Sequence, residues 1–175
     1  MQKTDAELVN AVLDGRKELF AELVKRYEKP VRAIALNVLG NYQCVADISQ
    51  DAFVRAYEKL PSLRRPDAFG SWLMKIAKRF AVEQAKRRFW ENRPNVDISE
   101  VVEKPNGQLD EDKQWLLAAV MKLPKTERQV VMLHYFGQNN VADVAKILGR
   151  SVGTVTKQLS RARLRLRKIL ERSKK

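Results

Sequence analysis

The chain has 175 residues, enough for one domain or two small ones at roughly 100–200 residues per domain. Lys and Arg number 34 against 21 Asp and Glu, and the net charge of +13 favours a polyanionic partner, nucleic acid or less often an acidic membrane surface. The hydrophobic share of 45% excludes a disordered chain, and the single Cys44 excludes an internal disulfide and a Cys-based zinc site. No stretch has the ~18 successive apolar residues of a membrane span, and residues 1–7 lack the pattern of a secretory signal. Composition therefore predicts a soluble, cytoplasmic, anion-binding protein without membrane insertion.

Charge changes sharply along the chain. The net charge is +6, then −4, then +11 over residues 1–93, 94–114 and 115–175. Two prolines and a glycine fall inside the acidic segment, as is typical of a linker. We therefore expect two domains and a flexible acidic linker, with boundaries at 1–93, 94–112 and 113–175.

The first domain has helical periodicity throughout. Thr4 and Glu7 form a capping box that starts a short helix, which should stop near Gly15. Three longer amphipathic helices follow. They are predicted from Leu19 to Gly40, with a possible kink at Pro30, from Val45 to Leu60, and from Phe69 through the basic residues near 88. No alternating strand pattern occurs, so the first domain is predicted to be a helical bundle in an all-α protein.

The second domain is predicted to hold four shorter helices. They span about Glu111–Leu123, Thr126–Tyr135, Val141–Leu148 and Val152–Leu170. Asn140 and Ser151 are suited to cap the last two, and Gly149 is suited to the left-handed position that ends the third. A helix, a tight turn with glycine and a basic second helix are typical of a helix-turn-helix.

The last helix carries the clearest candidate interface. Four apolar residues are predicted to face inward: Val152, Val155, Leu159 and Ala162. Short polar and basic side chains near the helix start suit base edges in a major groove: Thr154, Thr156, Lys157, Ser160 and Arg161. Arg163 and Arg165 continue the charge and suit phosphates. The alternative is a solvated charged face without a partner.

A second candidate face lies on the third helix. Asp47, Gln50, Asp51 and Arg55 recur every three or four residues and should share one exposed side. Spacing alone favours an ordinary helix surface over a binding face, with Asp51 and Arg55 forming a surface pair of little energetic value. A metal site is not expected, because the two carboxylates lack a third ligand.

Several motifs in order resemble one family. They are residues 46–57 (ADISQDAFVRAY), 68–77 (AFGSWLMKIA), 123–124 (LP), 144–149 (VAKILG), 151–155 (SVGTV) and 161–163 (RAR). The chain resembles the extracytoplasmic-function (ECF) sigma factors over about residues 17–172. The last three motifs alone also suit other helix-turn-helix domains, so the combination carries the resemblance.

The resemblance implies a promoter-recognition subunit of bacterial RNA polymerase, with no active site and no cofactor. It implies that the first domain binds core polymerase and captures the melted −10 strand, and that the second reads −35 duplex. The matching polymerase-binding residues are Asp47, Gln50, Asp51 and Arg55. Those for the −10 strand are Leu63, Arg64, Arg65, Lys75, Lys78, Arg79 and Lys86. Those for the −35 element are Arg150, Thr154, Thr156, Lys157, Ser160 and Arg161, with Arg163 and Arg165 on phosphates. Control by an anti-sigma factor is also implied.

The linker and two departures from the family pattern bear on this hypothesis. About 20 extended residues reach ~70 Å, enough for two sites two DNA turns apart. The acidity of the linker is explained equally well by two alternatives. Either the linker lies in a basic channel of the polymerase, or its acidic residues only keep the chain soluble. The family usually has Asn where this chain has Arg79, and a basic residue where it has Thr156, so the promoter sequence cannot be carried over.

Two other classes of protein fit the sequence less well. A stand-alone helix-turn-helix regulator explains the second domain but leaves the first-domain motifs unexplained, and it predicts no preference for an unpaired −10 strand. An enzyme such as a small nuclease lacks the necessary cluster of carboxylates or histidines. Trp72 is expected in the core rather than as a base-stacking wedge, and His134 and Cys44 are given no role.

Overall fold

The computed structural model describes residues 3–42, 44–92 and 111–172, which fold into eight α-helices with no β-strand in those ranges. The helices are α1 (Asp5–Leu13), α2 (Phe20–Leu39), α3 (Val45–Lys59), α4 (Phe69–Asn92), α5 (Glu111–Met121), α6 (Lys125–Val131), α7 (Val141–Leu148) and α8 (Val152–Arg172). This confirms the all-α prediction. Most of the predicted linker, residues 94–110, lies outside the described residues, and its last two positions belong to α5.

The predicted capping box starts α1. Glu7 accepts hydrogen bonds from the Thr4 backbone N–H (2.7 Å) and hydroxyl (2.9 Å), while the Glu7 backbone N–H donates to Thr4 Oγ1 (3.2 Å). Asp5 then ties α1 to α2. Its buried carboxylate accepts a hydrogen bond from the Tyr27 hydroxyl (2.5 Å) and pairs with Arg26. Burial and this hydrogen bond raise the pKa of Tyr27, so the phenol stays a donor to Asp5.

The core of the first domain forms where α2, α3 and α4 pack on one another. Phe69 at the start of α4 is fully buried and meets Phe20 and Tyr27 of α2 edge to ring, at centroid distances of 6.5 and 5.5 Å. Gly70 allows this approach, because a Cβ there would lie 2.5 Å from the Tyr27 hydroxyl. Pro30 is buried inside α2, and the helix continues past it to Leu39. Trp72 is half-buried against Phe69, in agreement with the core hypothesis.

In the second domain, the helix predicted over Thr126–Tyr135 is wrong in its second half. α6 ends at Val131, and residues Met132–Phe136 form a π-helical turn. The Asn139 amide donates to the carbonyls of Leu133 (2.9 Å) and Gly137 (3.0 Å). Carbonyls at the end of this segment therefore accept from a side chain in place of the backbone N–H groups of a continuing α-helix. These contacts are local, but a polar side chain that bonds backbone carbonyls has no signal in apolar periodicity.

The helix-turn-helix is built as predicted. Asn140 caps α7 by accepting from the Asp143 backbone N–H (2.8 Å). Gly149 ends α7 with φ 62° and ψ 38°, the left-handed conformation that glycine adopts at little cost. Ser151 then accepts from the Thr154 backbone N–H (3.2 Å) at the start of α8. Short-range capping rules therefore set both helix starts and the turn between them.

The two domains pack against each other. α2 contacts α6 and the π-helical turn, and α4 contacts α7. Arg128 of α6 donates from Nε to Asn37 Oδ1 of α2 (3.0 Å) and from Nη1 to the carbonyl of Met121 (3.0 Å). Asn37 is buried, and desolvation lowers the pKa of Arg128. Lys29 also donates to Gln138, so polar contacts cross the boundary at two places.

Candidate nucleic-acid interface

The outer face of α8 is the most basic surface of the second domain. Val155, Leu159 and Ala162 are buried as predicted, and the helix turns the other residues of its first three turns to solvent or to its edges. The prediction that Val152 faces inward is wrong, because 52% of this residue is exposed. Val152 occupies the first turn of α8, where the helix has not yet reached the core.

The hydroxyl groups at the start of α8 are engaged within the protein. The Ser151 and Thr154 hydroxyls hydrogen-bond each other at 2.8 Å. Thr156 Oγ1 donates back to the carbonyl of Val152 at 2.9 Å. These side chains are exposed, but the Thr156 hydrogen is directed at the helix and one hydrogen lies between the Ser151 and Thr154 hydroxyls.

Three of the arginines predicted to contact DNA have partners in the second domain. Arg150 is half-buried and donates to Gln158 (3.0 Å) and Gln129 (3.3 Å). Arg163 and Arg165 are exposed, yet Arg163 Nε donates to the Tyr135 hydroxyl (3.0 Å) and Arg165 Nε lies 3.1 Å from a carboxylate oxygen of buried Glu127. The remaining predicted residues of α8, Lys157, Ser160 and Arg161, are exposed. The exposed charge nearest the helix start therefore comes from Lys157 and Arg161.

The polar face of α3 divides into an exposed part and a packed part. Asp47, Gln50 and Asp51 are exposed. The spacing suggested that Arg55 would pair with Asp51. Arg55 is half-buried and does not form this pair. It reaches α4 instead, where its guanidinium lies 3.3 Å from Glu83 and 4.4 Å above the ring of Phe80. The aromatic ring and the carboxylate on α4 together hold Arg55 better than an exposed pair on one helix would.

An apolar groove of about 510 Å³ runs beside this face. α2 contributes Phe20 and Val24 to its lining, and α3 contributes Gln50, Val54 and Tyr57. Tyr57 is 37% exposed and meets Phe20 edge to ring at 5.0 Å. Sequence reasoning found the polar rim of this surface and missed its apolar floor.

The loop that precedes α4 presents two arginines. Arg64 and Arg65 are exposed, and Arg65 Nη2 lies 2.8 Å from Asp67 Oδ2. This contact lowers the pKa of Asp67 and raises that of Arg65. Leu63 is half-buried against the core, so it anchors the loop. A strand bound here would meet Arg64 directly and would compete with Asp67 for Arg65.

The cationic residues predicted on α4 form one exposed stripe. They are Lys75, Lys78, Arg79 and Lys86, and partly exposed Val82 fills the gap at the same helical spacing. The opposite side of α4 is buried against α2 and α3. The structure therefore brings these four cations together, as the helical period predicted.

A second apolar groove, of about 680 Å³, lies in the second domain and was missed by sequence reasoning. α5 contributes Leu116 to its lining, the π-helical turn contributes Tyr135, and α8 contributes Arg163, Leu166 and Leu170. The signal in the sequence was leucine alternating with arginine over residues 163–167, a pattern that places apolar side chains outside the buried stripe.

The described ranges contain neither a candidate membrane span nor a candidate metal cluster. None of the helices there is long and apolar enough to span a membrane. Residues 3–42, 44–92 and 111–172 also contain no group of three His, Cys, Asp or Glu side chains placed to hold a metal ion.

Comparison with known families assigns both halves of the chain. Residues 23–91 match the sigma-70 region 2 family, and residues 113–166 match the sigma-70 region 4 family. The two matches cover α2–α4 and most of α5–α8, including the exposed faces of α3, α4 and α8. They define the class, a transcription initiation factor of the sigma-70 type.

Individual relatives narrow this class. The chain is 27% identical to the ECF RNA polymerase sigma factor SigW of Bacillus subtilis, over 93% of this chain and 94% of SigW. It is 26% identical to the sigma factor RpoE solved in complex with the anti-sigma factor NepR from Bartonella quintana, with a TM-score of 0.59 over 89% of this chain and 98% of RpoE. CnrH, solved with the cytosolic domain of CnrY, shares the fold, with a TM-score of 0.65, 24% identity, and coverage of 97% and 98%. The chain belongs to the ECF sigma factors.

Proposed function

We propose that this chain binds core RNA polymerase through the exposed face of α3 and directs it to promoters. The observation that carries the proposal is a polar face, Asp47, Gln50 and Asp51, beside the apolar groove of α2 and α3. Apolar contact flanked by polar groups is the usual build of a protein interface. The chain supplies binding surfaces and no catalytic group, and it acts in the cytoplasm with the polymerase.

The two basic surfaces divide the promoter between them. α8 reads −35 duplex, with Lys157, Ser160 and Arg161 at base edges and Arg163 and Arg165 at phosphates. The contact of Arg163 with the exposed Tyr135 hydroxyl can be exchanged for a phosphate oxygen, whereas Arg165 would reach a phosphate only by leaving buried Glu127; Arg150 supports the turn while adding local charge.

The melted −10 strand binds the first domain at the loop of Leu63, Arg64 and Arg65 and along the α4 stripe of Lys75, Lys78, Arg79 and Lys86. A flipped base costs a few kcal/mol of lost stacking, which contacts to cations and apolar surfaces offset. The half-buried Leu63 and the neighbouring arginines supply both kinds of surface. We place the domain boundaries at 1–93 and 113–175, joined by the 94–112 linker.

Control by an anti-sigma factor follows from the same surfaces. The similar sigma factor RpoE was solved with the anti-sigma factor NepR. A protein that covers the α3 face or the α2–α3 groove of this chain would block polymerase binding directly. The two apolar grooves, one in each domain, are the surfaces such a partner can bury.

The test is a titration of labelled protein against bacterial core polymerase without sigma factor. The double variant Gln50→Lys/Asp51→Lys changes two exposed residues and should lose binding while keeping its helical content. Asn10→Lys/Asp14→Lys is the matched control, because it alters two exposed residues of the α1 region by the same net charge. Binding should be lost in the first variant only.

Two results would contradict the proposal. Equal binding by both double variants would remove the polymerase-binding role from the α3 face. No binding by the wild-type protein would favour a stand-alone helix-turn-helix regulator. The holoenzyme should also prefer a probe with an unpaired −10 strand over the same probe as full duplex, a preference that the stand-alone regulator does not predict.

A further inference from the structure

The start of α8 presents methyl groups where a DNA-reading helix meets base edges. Val152 is 52% exposed at the first position of the helix. Thr156 is exposed one turn later, and residues four apart are neighbours on a helix, with Cβ atoms about 5–6 Å apart. Gly153, beside them, has no side chain, and a Cβ built there would meet nothing within 4 Å. The first turn is therefore open to close approach.

The hydroxyl of Thr156 is turned away from this surface. Its Oγ1 donates to the carbonyl of Val152 at 2.9 Å, so its hydrogen is unavailable to a base acceptor. With Oγ1 held against the helix, the Cγ2 methyl is the part of Thr156 that remains outside it. The Ser151 and Thr154 hydroxyls bond each other at 2.8 Å, which uses one of their two hydrogens. The surface formed by Val152 and Thr156 thus offers methyl groups, and the charged donor that follows it is Lys157.

Among base edges in the major groove, one feature suits a methyl surface. Thymine carries a C5-methyl group there, and apolar side chains, including the methyl of threonine, recognise it. We propose that Thr156 and Val152 read a thymine of the −35 element through this methyl group. The inference rests on the proposed −35 role of α8, and it assigns Thr156 as a specificity-determining residue that acts by contact with a base methyl.

The test compares thymine with uracil, which differ by this methyl alone. The full chain, assembled with core polymerase, first selects binders from a duplex library with a random −35 segment. Each thymine of the selected sequence is then replaced singly by deoxyuridine, and affinities are measured at one salt concentration. One replacement should weaken binding about three- to fivefold, the factor that burial of a single methyl group contributes.

Variants of Thr156 connect that loss to this residue. The quantity compared is the ratio of the affinity for the thymine duplex to the affinity for the deoxyuridine duplex. Thr156→Val keeps the methyl and should keep this ratio. Thr156→Ser keeps the hydroxyl and loses the methyl, so its ratio at the contacted position should fall toward one, with Val152 supplying what remains. Lys157→Ala is the control, because it should weaken binding to both duplexes alike and leave the ratio unchanged. Both positions are exposed, and far-UV circular dichroism checks the folding of the three variants.

Each other outcome overturns a stated part of the argument. The same ratio in Thr156→Ser as in the wild type, or a selected −35 sequence without thymine, overturns this inference and leaves −35 reading by α8 intact. An assembled holoenzyme that enriches no −35 sequence overturns duplex reading itself and the inference with it.

Discussion

Gly70 allows α4 to lie close to α2, and replacing it with alanine should loosen that contact. A Cβ at this position would lie 2.5 Å from Oη, 2.8 Å from Cε1 and 2.9 Å from Cζ of Tyr27. Ordinary carbon contacts are several tenths of an ångström longer. The Tyr27 ring cannot swing aside cheaply, because it is only 8% exposed and its hydroxyl is held by Asp5.

The magnitude follows from two opposing effects. Overpacking of a core typically costs about 1–3 kcal/mol, while glycine to alanine within a helix gains about 0.5–1 kcal/mol. These ranges differ by about 0–2.5 kcal/mol. Because all three Cβ distances are below 3.0 Å and the ring is held, Gly70→Ala should lower the free energy of unfolding by about 1–2 kcal/mol. For a chain of this size, that corresponds to a fall of roughly 2–8 °C in the thermal midpoint.

Gly153 provides the matched control. It lies in α8, where a Cβ would meet nothing within 4 Å. Gly153→Ala should therefore gain only the helix propensity of alanine over glycine and should raise the thermal midpoint. The assay is thermal unfolding followed by far-UV circular dichroism for both variants. In a Tyr27→Ala background, Gly70→Ala should cease to destabilise. A rise in midpoint for Gly70→Ala equal to that for Gly153→Ala would refute the packing argument.

Two further predictions concern other contacts. Asn140→Ala should lower the free energy of unfolding by about 0.5–2 kcal/mol, because the α7 cap is lost, and Asn140→Asp should keep the cap and the stability. Thermal melts of both variants measure this, and equal losses in both would show that the cap is not the cause. Arg128→Ala should cost about 1–3 kcal/mol and enlarge the radius of gyration in small-angle scattering, because it leaves Asn37 and a carbonyl unpaired at the domain boundary. Lost stability at an unchanged radius would place the whole effect of Arg128 inside the second domain.

Features governed by short-range rules could be predicted from the sequence. The caps at Thr4 and Asn140 and the left-handed Gly149 depend on residues within four positions, and all three occur as expected. The stripe on α4 follows from helical period alone. These are the cases in which a local interaction has no strong tertiary competitor.

Features decided by packing between distant segments could not be predicted. Arg55 has an acidic neighbour four residues earlier, yet it pairs with Glu83 because α4 supplies a carboxylate together with an aromatic face. Val152 continues the apolar period of α8 but lies beyond the reach of the core. The contact of Arg128 with Asn37 likewise joins residues 91 positions apart. Periodicity carries no information about any of these partners.

The free energy with which the two domains pack against each other also lowers the apparent affinity for any ligand that binds only when the domains are apart. Such a ligand binds only the separated form, so its apparent affinity is its intrinsic affinity reduced by the fraction of molecules in that form. Every 1.4 kcal/mol held in contacts such as Arg128 with Asn37 lowers that fraction about tenfold. Substitutions at this boundary, far from any binding face, can therefore tune how strongly the whole chain binds.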